Sequence, residues 1–152
     1  KQVVPRAKVV RTHTDGFAIS ATPTDPSGEW FTGTTMDIDV RWEAGRYVPG
    51  WHADIACYTL EGEKLFALQS HTLKGFDSSD PRARGIRFSV VNPGLLDRDL
   101  RLDIGVRPSE HQPYNVVVEN ALILRPSVRM IEHNRVPDVL LVPPARCMPI
   151  TG

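Results

Sequence analysis

The sequence predicts an all-β fold, two antiparallel sheets packed as a sandwich, on three observations. Apolar and polar residues alternate in short runs, and no segment sustains a helical period. Thirteen prolines and eleven glycines are scattered along the whole length, so turns recur throughout and no long element has room to form.

Each strand follows from its own pattern. Residues 7–13 open the series. In Thr35–Trp42 the apolar residues Met36, Ile38, Val40 and Trp42 share one face, with Asp37, Asp39 and Arg41 on the other, as a period of two requires. Trp42 therefore reads as core, whereas Trp30 and Trp51 stand at strand entrances and fit either core or surface. In residues 51–59 the apolar set is Ala53, Ile55 and Cys57, leaving His52, Asp54 and Tyr58 outside. Leu60-Glu61-Gly62-Glu63 makes a tight turn into a strand over 64–70, with Gly62 supplying a positive φ.

Residues 85–90 alternate through Ile86, Phe88 and Val90. Residues 99–107 do so through Leu100, Leu102, Ile104 and Val106, with Arg101, Asp103 and Arg107 opposite. The last strand, 114–125, changes parity part-way, and a bulge near Glu119-Asn120 reconciles its halves. These segments make an immunoglobulin-like β-sandwich over 1–128. Residues 129–152 form a Pro-rich tail with an apolar strand at 138–142. That strand covers its own domain's edge or pairs with a second copy, the dimer contact being favoured.

Composition narrows the function. A chain of 152 residues fits one domain and buries roughly two-thirds of its unfolded surface, enough for an ordinary core. Eighteen basic and eighteen acidic residues cancel, whereas a nucleic-acid binder carries a basic excess for phosphate, so no nucleic-acid partner is expected. Two cysteines, Cys57 and Cys147, exclude a disulfide-dense scaffold and read as isolated thiols, which favours a reducing compartment. The start, Lys1-Gln2-Val3-Val4-Pro5, reads as a piece of a longer protein.

Motifs of catalysis are absent from the sequence. There is no Gly-rich phosphate loop, His-Glu-x-x-His pair, Cys-x-x-Cys or Gly-x-Ser-x-Gly. His13, His52, His71, His111 and His133 stand far apart in sequence, so no metal and no cofactor is expected. Asp77-Ser78-Ser79-Asp80-Pro81 lacks the spacing of a calcium loop and reads as a solvated turn. Asp37/Asp39 and Asp54/Asp103, imaginable as glycosidase couples, read as surface carboxylates in cross-strand ion pairs.

In immunoglobulin topology the third strand lies beside the sixth, which puts His52, Asp54, Tyr58, Arg101, Asp103 and Arg107 on one outer face. Planar polar groups that bond hydroxyl pairs, with an aromatic ring for the apolar face of a pyranose, are what sugar recognition uses. His52, Asp54, Tyr58, Arg101 and Arg107 are the candidate carbohydrate contacts, with the two arginines serving an anionic cap if one exists. The opposite face, with Asp37, Asp39, Arg41 and Arg87, is the alternative location.

With the strands placed, the chain resembles the C-terminal carbohydrate-binding domain of Wzt-type ATP-binding subunits of O-antigen polysaccharide ABC transporters. The likeness runs over roughly 9–128. It is carried by Ser27-Gly28-Glu29 ahead of the 36–42 strand, Leu60-Glu61-Gly62-Glu63-Lys64-Leu65-Phe66, and Ile86-Arg87-Phe88-Ser89-Val90. Leu95-Leu96, Leu102-Asp103-Ile104-Gly105-Val106, and Tyr114 with Glu119-Asn120-Ala121 follow in order. Asp97-Arg98-Asp99-Leu100 departs from the family's Pro-Gly turn and following Tyr.

The resemblance implies a non-catalytic module that recognises the non-reducing terminus of O-antigen polysaccharide for export. It also implies a homodimer with exchanged C-terminal strands, transporter nucleotide-binding and membrane subunits as partners, and a cytoplasmic place at the inner face of the inner membrane. The alternative reading is an immunoglobulin-like protein-interaction or adhesion module.

Overall fold

A computed structural model of the chain describes residues 7–12, 19–42, 51–94, 98–109, 111–127 and 143–151. The strands are β1 (Lys8–Thr12), β2 (Ile19–Pro23), β3 (Glu29–Phe31), β4 (Thr35–Trp42) and β5 (His52–Thr59). They continue with β6 (Lys64–Gln69), β7 (Gly85–Val91), β8 (Leu100–Arg107), β9 (Val116–Ser127) and β10 (Ala145–Ile150). A 3-10 turn, Ser70–Thr72, follows β6. The described residues hold no helix long and apolar enough to cross a membrane.

Strands β1-β9-β8-β5-β6 form one sheet, with β3 beside β9, and β10-β7-β4-β2 form the other. The chain passes from one sheet to the other at every step except β5 to β6 and β8 to β9, as in a β-sandwich with crossover connections. Alternation decides the packing. Met36, Ile38, Val40 and Trp42 of β4 and Ile86, Phe88 and Val90 of β7 face Ala53, Ile55 and Cys57 of β5 and Leu100, Leu102, Ile104 and Val106 of β8 in one core. Trp30 and Trp51 join that core as well.

The expected bulge is present. Leu102 pairs with Leu122 and Ile104 with Val118, so two steps along β8 match four along β9. Asn120 takes φ 55°, which a short polar side chain tolerates best after glycine, and its N–H donates to Asp103 Oδ1 at 2.9 Å. The parity change read in the sequence is this bulge. Gly62 likewise has φ 101° in the β5–β6 turn.

Three strands escaped the sequence reading. β2 is an edge strand with only a half-buried face, and β3 has three residues, too few to show a period. β10 carries Pro149, yet it lies at a sheet edge, where a missing N–H is tolerated. It pairs along β7 from Ala145↔Val90 to Ile150↔Gly85, so part of the segment read as a tail completes the four-stranded sheet. The strand expected at 138–142 lies outside the described residues, as do His13 and His133. Cys57 and Cys147 are both buried free thiols, pushed up to about 12 and about 11 by burial.

Candidate functional site

The expected neighbours meet. β5 pairs antiparallel with β8, which sets His52 opposite Arg107, Asp54 opposite Gly105 and Tyr58 opposite Arg101 on the outer face of the larger sheet. β6 extends the grid, with Ala67 beside Ala56 and Gln69 beside Asp54. Small side chains occupy its middle: Ala67, Ala56 and Gly105. Taller groups rise around them, Tyr58 and Lys64 toward one end, Asp54 and Tyr114 toward the other. The result is an open depression of about 290 Å³, at the small end of the range for ligand pockets.

Two ion-paired clusters hold its rim. Arg101 Nη1 bonds Asp103 Oδ1 at 2.7 Å, and its guanidinium lies 4.3 Å from the centroid of the Tyr58 ring. Arg107 Nη2 bonds Asp54 Oδ2 at 3.0 Å, and its Nε donates to His52 Nε2 at 3.2 Å. Tyr114, from the loop before β9, reaches over Gly105 and donates its hydroxyl to the same Asp54 Oδ2 at 2.5 Å. Burial and this bond to a carboxylate raise the Tyr114 phenol to about 12. Asp54 Oδ1 is buried with no hydrogen-bond partner among the described residues, an acceptor of the kind that an ordered water satisfies.

Two expectations change. His52 shares the outer face but is only 3% exposed, because His71 and Phe76 lie against its ring. A polar residue on the outer side of a strand is exposed only if nothing crosses it, and here the chain after β6 does. The histidines also do not all stand apart: the His52 and His71 rings are 4.7 Å apart, and with Asp54 they group ligand atoms within 4.8 Å of one another. Arg107 already occupies His52 Nε2 and places a positive charge against Asp54. Arg107 thus ties His52 and Asp54 into one hydrogen-bonded network.

Among the five candidate residues, Asp54 and Tyr58 line the depression, while His52, Arg101 and Arg107 do not. Sequence reasoning missed Tyr114 as a wall and underrated Asp103. The available signal was Gly105, since glycine inside an alternating strand marks a close approach by another group. On the opposite sheet, Arg87 bonds both oxygens of Asp39 at 2.7 and 3.0 Å, the cross-strand pairing expected of its alternating charges. Asp77 accepts from the N–H and hydroxyl of Ser79, as a polar turn does.

No family model and no curated protein matches the chain. A solved structure does, described as the crystal structure of the C-terminal domain of Wzt. It shares 17% identity and a TM-score of 0.54, covering 86% of this chain and 79% of that one. The fold is that of the C-terminal domain of Wzt. At this identity the Wzt likeness is a likeness of architecture, and the pocket described above rests on this chain's own residues.

Proposed function

We propose that this chain is a non-catalytic carbohydrate-binding module that takes the non-reducing end of an O-antigen polysaccharide for ABC-transporter export. One observation carries the reading: an open hollow on the larger sheet, floored by Ala56, Ala67 and Gly105 and walled by two tyrosines and two arginine-held carboxylates. Carboxylates fixed in position accept pairs of sugar hydroxyls, and aromatic rings cover the apolar faces of the sugar. The volume suits a chain terminus rather than a long segment.

Asp54, Asp103, Tyr58 and Tyr114 act as direct contacts in this reading. Arg101 and Arg107 hold the two carboxylates in place, and His52 supports Arg107 from beneath. The likeness to the Wzt domain supports the wider setting: transporter nucleotide-binding and membrane subunits as partners, a homodimer through the C-terminal strand, and a place at the cytoplasmic side of the inner membrane.

Calorimetric titration with purified O-polysaccharide of the source organism tests the proposal. Binding near millimolar, about −4 kcal/mol, is expected, with loss of measurable heat for Asp54→Ala or Tyr114→Ala that keep the far-ultraviolet spectrum. Polysaccharide length should be unchanged after prolonged incubation. No heat with the unmodified chain, or shortening of the polysaccharide, overturns the reading.

A further inference from the structure

We infer that the pocket selects an uncharged saccharide end and discriminates against an anionic one. The inference rests on the glycan reading above and names the class of ligand that the same site takes.

The argument is one of charge placement. Three formally charged side chains line the depression: Asp54, Asp103 and Lys64. No arginine is among them. Arg101 and Arg107 share this sheet face and are about as exposed as Asp103 and Asp54, but they do not line the depression. Each bonds a carboxylate that itself lines the pocket, Arg101 through Asp103 at 2.7 Å and Arg107 through Asp54 at 3.0 Å. Each guanidinium is also associated with a tyrosine ring, Arg101 with Tyr58 and Arg107 with Tyr114.

A ligand in the depression therefore lies against the two carboxylate side chains, with each guanidinium engaged by one of them. A phosphate or uronate end would face two like charges at close range. To gain an arginine it would have to displace a charge-assisted bond already made. Lys64 lies exposed at the rim, where solvent and salt weaken its attraction. Sugar hydroxyls, in contrast, donate to both carboxylates without disturbing either pair.

Asp103 is the residue that sets this preference at the Tyr58 end. Besides holding Arg101, its Oδ1 accepts the Asn120 N–H of the β9 bulge at 2.9 Å. Asn in its place keeps an oxygen for that N–H while removing the negative charge and releasing Arg101.

A glycan array carrying neutral oligosaccharides beside their phosphate-ended and uronate-ended counterparts decides the matter. The unmodified chain should bind members of the neutral set, with the matched anionic ends at least tenfold weaker. Asp103→Asn should narrow that ratio severalfold, chiefly by improving binding of the phosphate-ended members. Anionic ends bound as well as or better than neutral ones by the unmodified chain would overturn this inference while leaving the glycan reading intact. Silence across both sets, together with no heat against the purified polysaccharide, would remove the glycan reading and this inference with it.

Discussion

The ring of Tyr114 lies directly over Gly105: a Cβ at position 105 would stand 2.6 Å from two of its ring carbons. Gly105 is the register partner of Asp54, so the tyrosine crosses β8 where no side chain obstructs it and arrives at the carboxylate beyond. Gly105→Ala should push the ring aside and break its bond to Asp54. Because the obstructing group is a movable side chain, the stability loss should stay below about 1.5 kcal/mol. Polysaccharide affinity should fall at least tenfold by calorimetry. Unchanged affinity with a stably folded variant would show that Tyr114 is not a wall of the site.

Alkaline titration reads the same contact without any ligand. The Tyr114 phenol is raised to about 12 by burial and by Asp54, so its neutral form is favoured in the folded chain. The corresponding stability is present below the ordinary phenol value near 10 and is lost as pH rises through about 12. Absorbance at 295 nm should show a late ionisation phase near that value. Tyr114→Phe should remove the phase, and Gly105→Ala should shift it downward.

On the other sheet, Asp39 and Arg87 offer a stability test that leaves the pocket untouched. The Arg87 bond holds the Asp39 carboxyl below its ordinary range. Asp39→Ala should cost about 1–2 kcal/mol in urea denaturation at neutral pH, the pair being bidentate and its carboxylate largely buried. For a depressed carboxylate the contribution is present above the ordinary value of 3.8 and lost as pH falls through the folded one. The gap between variant and unmodified chain should therefore hold from pH 7 to 5 and close in stronger acid.

The β9 bulge depends on Asn120 at φ 55°. Asn120→Gly should alter stability by no more than about 0.5 kcal/mol, whereas Asn120→Val, β-branched in a left-handed position, should cost about 1–2 kcal/mol. Equal thermal midpoints for the two variants would contradict the bulge geometry.

Both thiols are buried in the sandwich, which disfavours the thiolate that a disulfide reagent needs. At pH 8 the folded chain should react with Ellman's reagent only slowly, and both cysteines should react at once in guanidinium. Rapid modification of the native chain would contradict the burial of these thiols.

Much of the sandwich was legible because its central strands obey a period of two. Thr35–Trp42 was bounded without error, and the parity slip in β9 announced its bulge. The edge strands were not legible, since β2 hides little, β3 is short and β10 contains a proline. Of the site, the pairing of β5 with β8 was foreseen, and with it the meeting of Asp54, Tyr58, Arg101 and Arg107. The burial of His52 was not, because what covers it is a loop rather than a strand neighbour.

By itself the sequence determined which side of each central strand is apolar, and hence the sandwich and the residues its outer face carries. Only the tertiary structure decided which of those residues line the depression and which pair with them. Alternation is a property of one strand, set by backbone geometry. Exposure and charge pairing depend on what crosses the face from elsewhere: Tyr114 over Gly105, His71 against His52, and each arginine drawn to a carboxylate of its own sheet.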